Sequence, residues 1–142
     1  MFATSADGYR WSRLDIPSRP EYAAVVRHAV ERLGAEAGFS RVEVDDLDLA
    51  VTEACANAIR HGSPLRGGNT IRVSFFVAPE CVVVEVRDEG HGFVPESRRA
   101  PSPGDLREGG YGLHIMRQVT DHLEIIRSGG TIVRLMKRRR GT

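Results

Sequence analysis

The sequence predicts a two-layer α/β sandwich, in which about three helices cover one face of a mostly antiparallel, mixed sheet of about five strands. Two observations lead to this fold class. Apolar residues recur at helical spacing in three segments of the chain, and alternating apolar and polar residues occur in segments joined by short turns. Amphipathic helices need an apolar surface to pack on, and a sheet with alternating side chains presents one.

The length and composition are those of a single domain. A chain of 142 residues has room for one hydrophobic core, and 41% hydrophobic with 27% charged residues is typical of a globular protein. We expect one domain over residues 1–142, with an ordered core at about 9–138. The formal charge of +1 predicts no direct contact with nucleic acid, and the short basic tail at 137–140 is expected to be solvated.

Cysteine usage and hydropathy predict a cytoplasmic protein. Cys55 and Cys81 cannot form a disulfide framework, and their spacing matches no metal site. No apolar stretch approaches the roughly 18–20 residues of a membrane span, and the first residues lack the pattern of a signal peptide. We therefore expect no contact with a membrane.

The first half of the chain predicts a strand followed by two helices. Alternation over residues 9–16 indicates an edge strand, and helical spacing over 21–33 indicates the first helix. A second helix is expected from Asp45, a favourable N-cap residue, to His61, because Gly62 follows. The apolar side of this second helix is expected to consist of Leu47, Val51, Ala54, Cys55 and Ala58. Cys55 is therefore expected to be a small buried side chain rather than a nucleophile.

The second half of the chain predicts two hairpins separated by a loop and a helix. Strands are expected at 70–77 and 81–88, and the second of these is the more continuously apolar, which places it inside the sheet. A third helix is expected from about Tyr111, followed by a hairpin of strands 123–127 and 131–137. The intervening residues contain five glycines and three prolines between positions 89 and 110, and a loop of that length is uncommon unless it is functional.

The first candidate motif is the pair Glu53 and Asn57, which are four residues apart and therefore stacked on one flank of the second helix. An ordinary helix flank has the same appearance. Alternatively, the carboxylate accepts a proton and the amide oxygen binds a hard cation such as Mg²⁺.

The second motif is Asp88, Gly90 and Gly92 at the end of an interior strand. Closely spaced glycines often mark only a turn. A carboxylate at a strand end can also accept a hydrogen bond from the amine of a flat ligand, and the glycines let the ligand ring approach the backbone.

The third motif is the group of glycines Gly109, Gly110 and Gly112 at the start of the third helix. They indicate either a flexible helix start or a phosphate site, because backbone N–H groups and the helix dipole attract anions there. The sequence contains neither a Walker-type loop nor a dinucleotide-binding fingerprint after a strand.

In this order, the three motifs resemble the N box and the two glycine boxes of the GHKL ATPases, which include gyrase, a heat-shock chaperone, histidine kinases and mismatch-repair proteins. Segments 51–58, 88–93 and 109–116 are most similar to bacterial anti-sigma factor serine kinases. The resemblance spans roughly residues 10–138 and implies the Bergerat-type ATP-binding fold of that superfamily.

The resemblance implies a role for each matching residue. Glu53 would be the catalytic base toward a serine hydroxyl, and Asn57 would be a ligand of Mg²⁺ at the phosphates of ATP. Asp88 would accept a hydrogen bond from the adenine amine, and Thr131 would support the adenine from its strand. The other ATP-binding positions would be Gly90, Gly92, Gly109, Gly110, Gly112 and Leu113.

The segment between the second and third motifs would be the ATP lid, at about 93–109. One of Arg98, Arg99 and Arg107 would reach the γ-phosphate, and the sequence does not distinguish them. His61, one turn past Asn57, would either approach a phosphate or only end the helix.

The implied function is that of an anti-sigma factor and ATP-dependent serine protein kinase with ATP and Mg²⁺ as cofactors. Such a protein sequesters a sigma factor and phosphorylates a STAS-type anti-anti-sigma antagonist, and it forms a homodimer largely through its N-terminal strand and first helix.

Two alternatives remain open at this point. The first is a nucleotide-binding partner-switch module with little or no kinase activity, which would not need the carboxylate of Glu53. The second is a histidine-kinase-type catalytic domain. The sequence disfavours it, because no helical hairpin precedes the second helix and no acidic residue directly follows His28.

Overall fold

One antiparallel sheet organises the part of the chain that the computed structural model describes, namely residues 3–4, 10–61, 68–89, 111–127 and 129–140. The strands are β1 (Ala3–Thr4), β2 (Arg10–Pro17), β3 (Thr70–Val77), β4 (Cys81–Arg87), β5 (His122–Arg127) and β6 (Thr131–Arg138), in the spatial order β1-β2-β3-β4-β6-β5. Every neighbouring pair among these described strands is antiparallel. The two-layer fold with five long strands is confirmed, and β4 lies inside the sheet as its apolar sequence predicts.

The helices pack on the buried face of the sheet. A short 3₁₀ helix (Pro20–Tyr22) leads into α1 (Ala23–Glu36), which is followed by α2 (Arg41–His61) and α3 (Tyr111–Val119). The buried face of the sheet contains cross-strand rows such as Val73, Val86 and Val133. Helix α2 packs against β4 and β6, while α1 and α3 flank α2. No described helix is both long and apolar enough to span a membrane.

The apolar side of α2 lies in the core as predicted. All five side chains of that side are buried: Leu47, Val51, Ala54, Cys55 and Ala58. Burial raises the pKa of the Cys55 thiol to about 12, so the thiol stays protonated near neutral pH and is a poor nucleophile. The prediction that Cys55 only fills space is confirmed.

The start of α2 differs from the prediction. The helix begins at Arg41, so the assignment of Asp45 as the N-cap is wrong. Ser40 and Glu43 form a capping box instead: the Ser40 N–H donates to Glu43 Oε1 (2.8 Å), and the Glu43 N–H donates to Ser40 Oγ (3.2 Å). The Ser-x-x-Glu spacing carried this signal in the sequence.

Lys137 departs from the expectation that the basic tail is solvated, whereas Arg138, Arg139 and Arg140 are exposed as expected. The Lys137 ammonium is largely buried and donates to Asp46 Oδ2 (3.1 Å) and to the Val119 carbonyl (2.9 Å). The Arg140 side chain pairs with Asp121, and its backbone N–H donates to Glu43. The tail therefore ties β6 to the start of α2 and the end of α3.

Candidate functional site

The first and third motifs meet where α3 begins beside α2. Glu53 and Asn57 are half-buried on the flank of α2, and Gly112 lies opposite them. A Cβ atom on Gly112 would lie 2.9 Å from Glu53 Oε2 and 3.5–3.6 Å from the amide atoms of Asn57. A Cβ at position 112 would therefore displace the Glu53 carboxylate, and its absence lets the carboxylate, the Asn57 amide and the first turn of α3 lie side by side.

The second motif is fixed to the start of β6. The Asp88 N–H donates to the Thr131 carbonyl (3.0 Å), and the Thr131 N–H donates to Asp88 Oδ1 (3.1 Å). Both residues are buried, so these hydrogen bonds are shielded from water. The structure therefore brings together the two residues that the resemblance assigns to the adenine.

Gly130, between β5 and β6, belongs to the same arrangement, and none of the three sequence motifs includes it. A Cβ atom on Gly130 would lie 2.3 Å from the Asp88 carbonyl oxygen. Because that atom belongs to the backbone, any larger residue at this position would push β6 away from Asp88. The two adjacent glycines before β6, Gly129 and Gly130, were the sequence signal for a close backbone approach. Which backbone atom Gly130 approaches depends on the register of β6 with β4, and the sequence does not show that register.

A small cavity joins the two groups. Its lining includes the polar side chains of Asn57, Asp88 and Thr131, and the apolar part of the lining includes Leu113 and Met116. An apolar cavity with a few converging polar groups is typical of a small-molecule site. Its volume is about 10 Å³, which is space for about one water molecule.

The start of α3 adds a favourable place for an anion. The first backbone N–H groups of a helix lack partners within the helix, and the helix dipole makes that end partly positive. Helix α3 begins at Tyr111, next to Glu53 and Asn57. An anion at this end would therefore lie within reach of both side chains.

The remaining predicted positions fall in two groups. Leu113 lines the cavity, and His61 is the exposed last residue of α2. The other predicted residues lie outside the described residues: Gly90, Gly92, Gly109, Gly110, the segment 93–109, and with it Arg98, Arg99 and Arg107.

Comparison with known proteins identifies the family of the chain. Residues 16–137 match the family model of the histidine kinase-like ATPase domain. The chain is 29% identical over 134 residues to the serine-protein kinase RsbW of Bacillus pumilus, covering 87% of this chain and 83% of that relative. The predicted resemblance to GHKL ATPases and to serine kinases among them is confirmed.

Two solved structures share the fold. The RsbU and RsbW domains of a Mycobacterium tuberculosis protein superpose with a TM-score of 0.69 at 21% identity, covering 90% of this chain and 31% of that one. The histidine kinase domain of a blue-light activated kinase from Erythrobacter litoralis gives 0.56 at 24% identity, covering 87% of this chain and 62% of that one. Because the family model matches residues 16–137, most of the sheet and all three helices, the chain belongs to the family of histidine kinase-like ATPase domains, the GHKL ATPases.

Proposed function

We propose that this chain is an anti-sigma factor and ATP-dependent serine protein kinase, which sequesters a sigma factor and phosphorylates a STAS-type antagonist. The observation that supports the proposal is the closeness of Gly112 to Glu53 and Asn57, because a carboxylate and an amide then lie at the end of α3 where the phosphates would bind. The name of the Bacillus pumilus relative, a serine-protein kinase, supports serine as the acceptor.

The adenine of ATP would bind at Asp88. Its carboxylate is already oriented by the Thr131 N–H, and it lines the cavity together with Leu113. A carboxylate accepts a hydrogen bond from the exocyclic amine of adenine, and this contact distinguishes adenine from guanine. Gly90 and Gly92 follow Asp88 directly and would let the ring approach the backbone.

The phosphates would bind at the start of α3, through the backbone of Gly109, Gly110 and Gly112. The residues at this end of α3 fit a phosphate group, because the missing Cβ of Gly112 leaves room beside Glu53 and Asn57. The segment 93–109 would be a lid over the nucleotide, with one of its arginines at the γ-phosphate.

Asn57 would be the protein ligand of Mg²⁺. The described residues contain no cluster of three or more His, Cys, Asp or Glu that could hold a metal alone. Mg²⁺ is commonly held by one or two protein oxygens together with substrate phosphates and water. The side-chain amide oxygen of Asn57 would be such a protein oxygen. Bound Mg²⁺ would neutralise the charge of the phosphates.

Glu53 would act as the base. It accepts the proton of the serine hydroxyl as the serine oxygen bonds to the γ-phosphorus, while the bond from that phosphorus to the bridging oxygen breaks and ADP leaves. Phosphoryl transfer depends mainly on positioning and charge stabilisation, so a small set of residues is sufficient.

The second copy of a homodimer and the sigma factor would use surfaces away from the cavity, whereas the antagonist has to present its serine at the phosphates. Helix α1 exposes Val25 (43% exposed) and the charged side chains of Arg27 and Arg32, which gives a homodimer or a sigma factor an available surface. We place the protein in the cytoplasm, where sigma factors act.

The test is a phosphorylation assay. The purified protein is incubated with Mg-ATP and a panel of STAS-type antagonists from the same genome, and added phosphate is measured by intact mass. We expect phosphoserine on one antagonist, lost in Glu53→Ala and Asn57→Ala but kept in Glu80→Ala, which removes an exposed glutamate from the β3–β4 turn.

A second outcome would favour the binding-only alternative. If the protein binds nucleotide in a titration and modifies no antagonist of the panel, a nucleotide-gated partner switch becomes the better account. Transfer to a histidine instead of a serine would favour a histidine-kinase-type activity.

A further inference from the structure

Glu89, the residue after Asp88, connects two strands through its side chain. Its Oε1 accepts hydrogen bonds from the Thr70 N–H (2.8 Å) and from the Asn69 amide nitrogen (3.2 Å). These donors, the Thr70 N–H first, lower the pKa of Glu89, so the carboxylate stays ionised near neutral pH. We call Asn69, Thr70 and Glu89 the Glu89 latch.

The latch replaces a bond of the sheet ladder. Strands β3 and β4 pair as far as Arg72 and Arg87, and the same register would set residue 89 opposite residue 70. At that position the side chain of Glu89 accepts from Thr70 in place of a backbone carbonyl. The chain can therefore leave the sheet at residue 89 while it remains attached to β3.

The other end of the latch is firmly held. Asn69 is only 5% exposed, and its carbonyl accepts from the Ser18 N–H (2.8 Å), at the point where the chain leaves β2. Ser18 is itself buried. The carboxylate of Glu89 thus attaches to a buried corner of the fold rather than to a surface loop.

Residues 88 and 89 are held from opposite sides. Asp88 is bound to Thr131 of β6 by two hydrogen bonds, and Glu89 is bound to the start of β3 by two more. With β6 on one side and β3 on the other, the direction in which the chain leaves β4 is fixed at the proposed adenine position.

We propose that Glu89 is a positioning residue of the nucleotide site. It touches no nucleotide; it holds the chain one residue past Asp88, so that Asp88 loses less conformational freedom when a nucleotide binds. This inference rests on the proposed nucleotide site, and it assigns a role to Glu89, which is not one of the motif residues Asp88, Gly90 and Gly92.

The test is the affinity for Mg-ADP, measured by calorimetric titration of the full chain. In Glu89→Ala we expect binding about five- to tenfold weaker, the effect of losing one to two hydrogen bonds. Glu89→Gln should bind within about twofold of the wild type, since its amide oxygen still accepts from Thr70. Glu80→Ala removes a glutamate near the other end of β4 and should leave binding unchanged.

A shorter carboxylate separates position from charge. Glu89→Asp keeps the negative charge but loses one methylene, so it cannot reach Thr70, and we expect it to bind as weakly as Glu89→Ala. In a kinase assay, the KM for ATP should rise in both variants while kcat stays near the wild-type value, a split that a general loss of stability would not produce.

Each outcome decides between the two proposals. If Glu89→Ala binds Mg-ADP as tightly as the wild type, the role of the latch is overturned and the nucleotide site stands. The same holds if Glu89→Ala binds weakly but Glu89→Asp binds as tightly as the wild type. If the wild type binds no adenine nucleotide, the proposed function fails, and the positioning role fails with it.

Discussion

A Cβ atom on Gly112 would lie 2.9 Å from Oε2 of Glu53, closer than two such atoms approach in folded proteins. Gly112 belongs to α3 and Glu53 to α2, so a side chain at position 112 would meet the carboxylate at the proposed phosphate site. The atom that would be displaced is the end of a flexible side chain. A larger residue at position 112 is therefore expected to move the carboxylate and leave the fold unchanged.

Gly112→Ala should separate activity from stability. Alanine favours a helix over glycine by up to about 1 kcal/mol, so we expect the free energy of unfolding to change by no more than about that amount. Phosphoryl transfer should fall tenfold or more, because the displaced carboxylate no longer meets the hydroxyl. Thermal unfolding and the single-turnover transfer rate measure the two effects.

Gly34→Ala is the control for this prediction. Its Cβ would lie 2.7 Å from Cγ2 of the buried Val44, between α1 and α2 and away from the cavity. Overpacking there should lower stability by about 1–3 kcal/mol with little change in the transfer rate of the folded protein. Wild-type transfer in Gly112→Ala would contradict the proposed position of Glu53.

Gly130→Ala should damage both the fold and the adenine site. The new Cβ would meet the Asp88 carbonyl oxygen at 2.3 Å, so the backbone of β6 has to move and the hydrogen bonds between Asp88 and Thr131 are strained. We expect a loss of about 2 kcal/mol or more in stability and at least about tenfold weaker ATP binding.

The neighbouring glycine provides the comparison. Gly129 has a φ of +66°, and a Cβ added there would meet no atom within 4 Å, so asparagine, which tolerates this conformation, should be accepted. Equal ATP binding by Gly130→Ala and Gly129→Asn would argue against the contact of Gly130 with Asp88 as a requirement of the site.

Asp48 on α2 is buried without a full set of partners. It is 8% exposed, and its Oδ1 has no hydrogen-bond partner among the described residues. Burial, followed by the neighbouring carboxyl of Glu31 on α1, raises the pKa of Asp48 to about 7, against the smaller opposing effect of Arg27. The hydrogen bond from Asp48 in turn lowers the pKa of Glu31.

The raised pKa of Asp48 predicts a pH-dependent stability. Between about pH 4 and pH 7 the folded chain binds a proton at Asp48 that the unfolded chain has already released, so the free energy of unfolding falls as pH rises through this range. Asp48→Asn carries no such proton. Its stability relative to the wild type should therefore rise by about 1–3 kcal/mol between pH 5 and pH 8.

Urea unfolding at pH 5, 6, 7 and 8 measures this difference. The control is Asp45→Asn, which changes a largely exposed carboxylate on the same helix, paired with Arg41. Parallel pH curves for the wild type and Asp48→Asn would show that Asp48 is already ionised at pH 5 in the folded protein.

Local patterns predicted most of the elements. The continuous apolar run of β4 placed that strand inside the sheet, and the helical wheel of α2 identified the buried side that includes Leu47 and Val51. Such patterns can be recognised in a sequence because the buried positions of a helix or strand recur with the period of that element. The start of α2 was missed because Asp45 offers one capping side chain, whereas Ser40 and Glu43 satisfy two backbone donors together.

Contacts between distant segments were not predictable from one sequence. The partner of Lys137, Asp46, lies 91 residues away along the chain, and Thr70 lies 19 residues before Glu89. These contacts depend on the register of the strands, which brings the segments together only after folding. Four residues that the family resemblance assigned to ATP do line one cavity, namely Asn57, Asp88, Leu113 and Thr131.

The central claim, that Glu53 performs proton transfer rather than nucleotide binding, is tested most directly by Glu53→Gln. We expect the affinity for Mg-ATP to stay within about twofold of the wild type, while the single-turnover rate of phosphoryl transfer to a STAS-type antagonist falls by about a hundredfold or more, since an amide cannot accept the proton. A transfer rate equal to that of the wild type would contradict the account.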